Sequence, residues 1–157
     1  MIEQQINAQW EYVADAVMGG QSQGQMTQEF WQGRMATVLH GRVSLENNGG
    51  FVQIATDLPG DLAPGDWDGL ALDVAGNDES YDMRLRTTQL TRPWQSYRAA
   101  FVAGPDWTTI RLPFSSFEAH KHDMPFQPAA LNRIGLLAIG RVFVAQIAVN
   151  NLRLFRM

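Results

Sequence analysis

The chain has 157 residues, 45% of them hydrophobic, a length and composition that let one unit bury a core of its own. It contains no cysteine, which removes disulfides, thiolate metal sites and cysteine nucleophiles together. With 12 basic against 16 acidic residues and a net charge of -4, it has no positive field to drive binding to a phosphate backbone, so nucleic acid is not an expected partner.

In chain order, Met1 to Trp10 shows no basic segment followed by an apolar run, and no stretch approaches the ~20 apolar residues of a membrane helix. A cytoplasmic protein that neither spans a membrane nor carries a targeting signal is expected. The segment Asp15-Ala16-Val17-Met18-Gly19-Gly20-Gln21-Ser22 is a glycine loop. Gly19 and Gly20 permit backbone conformations closed to other residues, and Asp15 and Ser22 can bond nearby backbone groups, which predicts a rigid loop between strands. Gly20-Gln21-Ser22-Gln23-Gly24 also matches the G-x-S-x-G elbow of serine hydrolases, with His120 and His122 following. That elbow needs a strand before the serine and a helix after it, whereas Gln25 to Glu29 is polar and leads to a turn at Phe30-Trp31-Gln32-Gly33. The structural reading is therefore preferred. A phosphate cradle lacks its lysine and its helix.

Gly41 to Phe51 holds a second glycine pair, in Asn48-Gly49-Gly50. Asp61, Asp66 and Asp68 could offer oxygens to calcium, but the spacing is not that of a dedicated loop, and turn aspartates bonding their own backbone are expected. Leu70, Leu72 and Val74 alternate with Ala71 and Asp73; Tyr81, Met83 and Leu85 alternate with Asp82, Arg84 and Arg86. Gly76-Asn77-Asp78 between them predicts a hairpin joining antiparallel neighbours. Arg84 and Arg86 then face solvent, with Trp94, Tyr97 and Arg98 close behind, and arginine beside aromatic residues is what binding surfaces favour.

Trp107 to Leu112 is another strand, with Ile110 and Leu112 inward and Pro113 ending it. Phe114 and Phe117 are expected in the core beside Trp107. His120-Lys121-His122-Asp123 lacks the two-part spacing of a zinc site and is read as a solvated loop; His40 stands alone. Pro128 to Leu131 can make one short helical turn, Ile134 to Gly140 reads as a central strand buried on both sides, and Phe143 to Asn150 alternates as the closing strand. Eight or more short strands without an ordinary amphipathic helix predict an all-β, two-sheet jelly-roll sandwich in one domain spanning 1–157, with no metal and no cofactor.

Four segments in order carry a family resemblance. Trp10 with Asp15 through Ser22, Gly41 through Phe51, Asp68 to Leu72 with Gly76 and Tyr81, and Trp107 with Leu112-Pro113-Phe114, Phe117 and Ile134-Gly135-Leu136 together resemble the complex I intermediate-associated protein family. The resemblance implies a galactose-binding-like jelly roll. It further implies a non-enzymatic, protein-binding or chaperone-like role whose partners are respiratory complex I subunits or assembly intermediates. Without the targeting extension that eukaryotic relatives carry, the sequence is expected to be a bare bacterial-type domain. On this reading Asp15, Met18, Gly19, Gly20 and Ser22 with Asn48, Gly49 and Gly50 shape the site, and Arg84 and Arg86 supply charged contacts. The fold equally supports a carbohydrate or small-ligand module with Trp31 or Trp94 as a stacking platform, the exposure of those rings discriminating. A hydrolase using Ser22 is the third possibility.

Overall fold

The computed structural model describes residues 1–15, 20–46 and 50–157. Met18, Gly19, Asn48 and Gly49 of the expected site lie outside the described residues. The strands are β1 (Ile2–Gln5), β2 (Glu11–Ala14), β3 (Gln23–Trp31), β4 (Arg34–Val43), β5 (Phe51–Asp57), β6 (Gly69–Ala75), β7 (Glu79–Thr87), β8 (Ser96–Ala103), β9 (Thr108–Pro113), β10 (Glu118–His120), β11 (Leu131–Ile139) and β12 (Phe143–Arg156). They form two six-stranded sheets, one in the order β3-β4-β12-β6-β9 with β1 also on β12, the other β10-β8-β7-β11-β5-β2. Every pairing is antiparallel. Among the described residues helical structure is confined to single turns, including Pro64–Asp66, Phe114–Ser116 and Pro128–Ala130.

The period-two patterns explain the layering, because alternate side chains leave a strand on opposite faces. Leu70, Leu72 and Val74 of β6 and Leu39, Ile147 and Leu154 of the first sheet meet Ile54, Tyr81, Met83, Leu85, Ile134 and Leu136 of the second in one buried cluster. Gln32 and Gly33 both take positive φ (46° and 83°) between β3 and β4, the backbone that a two-residue hairpin requires. In β12 the register shifts between Asn150 and Arg153, with Asn151 at φ 61°, so that Leu152 and Leu154 continue inward after Val149.

Two expectations are corrected. The Gly76-Asn77-Asp78 turn does not make a hairpin: β6 is bonded to β12 and β9 in the first sheet, and β7 to β11 and β8 in the second. The turn crosses between sheets. Gly76 N–H donates to the Gly104 carbonyl at 2.7 Å and Asp78 N–H to that of Ala103 at 2.7 Å. Alternation fixes which face of a strand meets the core, and both a hairpin and a crossing arch satisfy it. Phe114 and Phe117 are buried, with Phe126 5.1 Å from Phe114 between centroids, but Trp107 is not beside them. The alternation that turns Ile110 and Leu112 inward turns Trp107 outward, where it packs on Ala36, Val38 and Ala148 on the far side of the first sheet. There its indole N–H donates to the Trp31 carbonyl at 2.9 Å.

Candidate functional site

The glycine loop and the second glycine turn meet at one buried carboxylate. Asp15, directly after β2, is 0% exposed. Its Oδ1 accepts the Ser22 N–H at 3.1 Å, while Oδ2 accepts the Ser22 hydroxyl at 2.6 Å, the Gly50 N–H at 2.6 Å and the Phe51 N–H at 3.2 Å. Ser22 Oγ in turn accepts the Ser44 N–H at 2.9 Å. Burial pushes the Asp15 carboxyl up, but the bonds from Ser22, Gly50 and Phe51 outweigh it and hold the pKa below the ordinary carboxylate value. Gly20 serves differently from expectation. It is not among the glycines at positive φ, and a Cβ on it would lie 2.3 Å from Asp15 Cγ, so its role is to leave room for the carboxylate. Gly50, at φ 143°, does use the freedom of glycine.

This arrangement fastens the start of β5 and the segments on either side of β3 and β4. It does not activate Ser22, whose only proton goes to Asp15 and whose hydroxyl is buried. No histidine is among its bonded partners in the described residues, and a strand rather than a helix follows it. His122 is occupied elsewhere: Nδ1 accepts the Met124 N–H at 3.0 Å, which leaves Nε2 to donate to the Ser96 carbonyl at 2.9 Å. Among the described residues no three His, Asp or Glu side chains group as metal ligands.

The open site lies on the outer face of the second sheet. Its floor is the outward set of β5 and β11, namely Phe51, Gln53, Leu137 and Ile139, and its walls are β7 with Arg84 and Arg86, the segment Pro93 to Gln95, and His120 with Lys121. Gly135 lies in register between Arg84 on β7 and Ala55 on β5, and a Cβ on it would lie 2.4 Å from Gln53 Nε2, so its missing side chain makes room for Gln53 in the floor. The groove encloses about 930 Å³. Trp94 stands at its edge, 59% exposed, while Trp31, the other candidate platform, is half-buried on the opposite sheet. The apolar run from Ile134 to Gly140 was the available signal for this floor. In an antiparallel sheet with one wet face, an unbroken apolar strand puts apolar side chains on that face too.

Arg84 and Arg86 point away from the core, as their alternation predicts, but both are engaged. Arg84 donates from Nε (3.2 Å) and Nη2 (2.9 Å) to Asp82 Oδ2 and from Nη1 to Ser96 Oγ at 3.3 Å. Arg98 shares the same carboxylate at 3.6 Å. Arg86 Nη1 reaches the carbonyls of Arg92 at 3.0 Å, Pro93 at 3.2 Å and also Gln95, clamping the segment that carries Trp94. Burial and then the charge of Arg133 lower the Arg86 pKa. Arg133 is itself fixed by Asp57 at 2.7 Å and Glu11 at 3.0 Å. These arginines are therefore part of the groove's construction as well as its lining, and reversing their charge disturbs the wall. Sequence reasoning found Trp94 and both arginines but missed Arg133 and the apolar floor. It had no way to see that Arg86 grips a loop.

Similarity to solved structures fixes the jelly-roll class. A family 11 carbohydrate-binding module from Clostridium thermocellum, solved in complex with a β-1,3-1,4-mixed-linked tetrasaccharide, is 13% identical with a TM-score of 0.76, covering 98% of this chain and 95% of its own. The family 11 module of the cellulosomal cellulase Lic26A-Cel5E of the same organism is 14% identical, TM-score 0.78, covering 100% and 96%. The family 30 module of its cellulase Cel9D-Cel44B is 12% identical, TM-score 0.65, covering 99% and 98%. At such identities the likeness is one of fold. No curated protein matches the chain in sequence. A family model does, over residues 2–147, and by it this chain belongs to the Complex I intermediate-associated protein 30 (CIA30) family.

Proposed function

We propose that this chain is a non-catalytic binding protein with an assembly or chaperone-like role toward respiratory complex I subunits or intermediates, and that it engages them through the groove on the second sheet. The observation that carries the reading is the groove itself: an open trough of about 930 Å³ with an apolar floor where an antiparallel sheet would ordinarily be polar. Family membership over residues 2–147 supports the assembly context. Ser22, locked against Asp15, supports binding over hydrolysis.

The test is capture with a photo-crosslinker placed at Trp94, followed by mass spectrometry of the adducts, with Ile139→Trp as the companion that fills the groove without altering charge. Complex I subunits crosslinked by the parent and lost in Ile139→Trp are expected. Capture unchanged by filling the groove would remove the groove from function.

A second reading, carbohydrate binding, is favoured by the exposure of Trp94 and by the tetrasaccharide in the family 11 neighbour. Calorimetric titration with a mixed-linked β-glucan tetrasaccharide separates the two, since saturable binding there combined with no protein capture would favour the sugar.

A further inference from the structure

The charges of the groove are one-sided. Four of the chain's 12 basic residues line it, Arg84, Arg86, Lys121 and Arg133, and none of its 16 acidic residues does. A chain of net charge -4 has thus placed a third of its cations on one concave surface. Some of that charge is compensated from behind or from the rim: Asp82 serves Arg84 and Arg98, and Asp57 and Glu11 serve Arg133. Arg86 is different. Its bonded partners are the neutral carbonyls of Arg92, Pro93 and Gln95, all taken from Nη1, so that no carboxylate among the described residues answers it. Its Nε and Nη2 make no hydrogen bond among the described residues and are not among the fully buried polar atoms without a partner, so this edge of the guanidinium is unpaired and not sealed from solvent at the groove wall. Lys121, at the same wall, has no ion pair among the described residues. The imidazole of His120 reports the same field. Burial first, and then the positive charges of Arg84, Arg98 and Lys121, lower its pKa against the opposing pull of Asp82.

We propose that the groove takes an acidic, extended polypeptide segment, with a carboxylate on the open guanidinium edge of Arg86 and on Lys121 and with apolar side chains on Phe51, Leu137 and Ile139. The proposal rests on the protein-binding reading above and names the chemistry of the partner. Guanidinium and carboxylate match as planar forks, and the match gains strength against an apolar floor where water is displaced. An extended peptide suits the site because its side chains alternate. Residues on one face recur about every 7 Å, the spacing at which Arg84 and Arg86 follow each other along β7. A sugar chain would want a row of aromatic rings, and among the groove's lining residues Phe51 and Trp94 are the aromatic rings apart from His120.

The test is selection of a random dodecapeptide library on the purified full chain, counter-selected against Ile139→Trp, with affinities of the resulting synthetic peptides measured by fluorescence anisotropy. Groove-dependent peptides combining Asp or Glu with apolar residues are expected, and replacing their acid by the amide should weaken them about tenfold, as loss of a charge-assisted bond does. Lys121→Glu, whose side chain makes no bond among the described residues, should weaken them similarly and leave the melting midpoint in place. Arg86→Leu should act likewise, with Arg86→Lys and the melting midpoint separating lost charge from a loosened loop. Groove-dependent peptides that are neutral or basic, or indifferent to acid-to-amide exchange, would overturn the carboxylate while leaving the protein-binding reading standing. Failure to select any groove-dependent peptide, with binding of a polygalacturonate oligomer instead, would overturn the peptide occupant. Failure of peptides, polygalacturonate and crosslinked capture together would overturn both readings.

Discussion

Replacing Asp15 by asparagine tests the frame on which the site is built. The two side chains have the same shape, so the change isolates charge and acceptor number. Asp15 Oδ2 accepts three protons, from the Ser22 hydroxyl and the Gly50 and Phe51 amides, and Oδ1 a fourth from the Ser22 amide. An amide offers one acceptor oxygen. Whichever way it turns, its NH2 group faces at least one of these buried N–H donors, and the misplaced donors lose their partners. Each unsatisfied buried donor costs about 1–3 kcal/mol, and because the donors are neighbours the costs do not add in full, so a loss of about 3–5 kcal/mol is expected. That is a large share of a domain's usual stability. Urea unfolding followed by tryptophan fluorescence at pH 7 measures it. The pH dependence gives a second reading of the same carboxylate. Its folded pKa is depressed, so its contribution is fully present above the unfolded value near 3.9 and is lost as pH falls through the folded value. The Asp15→Asn protein has no carboxyl to titrate there, and the stability gap between parent and variant should therefore narrow below about pH 4. A gap under about 1 kcal/mol at pH 7, or one that stays constant down to about pH 2.5, would refute this account of the hub.

Two further substitutions probe the frame and the core. Ser22→Ala removes the donor to Asp15 and orphans the Ser44 amide at once, so it should cost about 2 kcal/mol in urea unfolding, more than a single neutral bond; an unchanged midpoint would show that Ser22 is not needed by the hub. Phe114→Ala empties a site 7% exposed against Phe126 and should cost about 3–5 kcal/mol by thermal or urea unfolding, whereas a loss under about 1 kcal/mol would mean the ring is not packed as described.

The fold was legible in the sequence because a sandwich writes itself as alternation. Tyr81, Met83 and Leu85 inward, Ile110 and Leu112 inward, and Phe143 through Val149 alternating all follow from period two. What alternation cannot carry is the partner of each strand, which is why β6 and β7 read as a hairpin and are instead divided between the sheets. Nor can it tell neighbours in sequence from neighbours in space, as Trp107 and Phe114 show from opposite sides of one sheet. In the site, Arg84 and Arg86 were visible as outward charges. The clamp that Arg86 makes on the carbonyls of Arg92, Pro93 and Gln95 depends on a loop conformation that no local pattern specifies. Asp82, which alternation places on the same outward face, proves to be buried as the shared counter-ion of Arg84 and Arg98.

The motifs that carry the family resemblance and the residues that line the groove are largely different sets, and this bears on what each can be asked to do. Asp15, Gly20 and Ser22 sit in the frame, buried, with the Asp15 carboxylate and the Ser22 hydroxyl turned toward the chain itself. Arg86, Trp94, Lys121, Arg133 and Leu137 line the trough and come from segments outside those motifs. The sets share Leu45 and Gly135 and meet most closely at Gly50 and Phe51. Their amides are held by Asp15, the Gly50 carbonyl accepts the Gly140 N–H at 3.1 Å, and both residues border the groove beside Ile139. The carboxylate thus fixes the edge of the groove floor at the point where β5 begins. A frame of this kind holds the geometry of the trough constant while the chemistry of its walls is set by other residues. On the groove reading proposed above, the motifs identify the scaffold, and the choice of ligand rests with Arg84 and Arg86 on β7, Arg133, Leu137 and Ile139 on β11, the segment from Pro93 to Ser96, and His120 with Lys121.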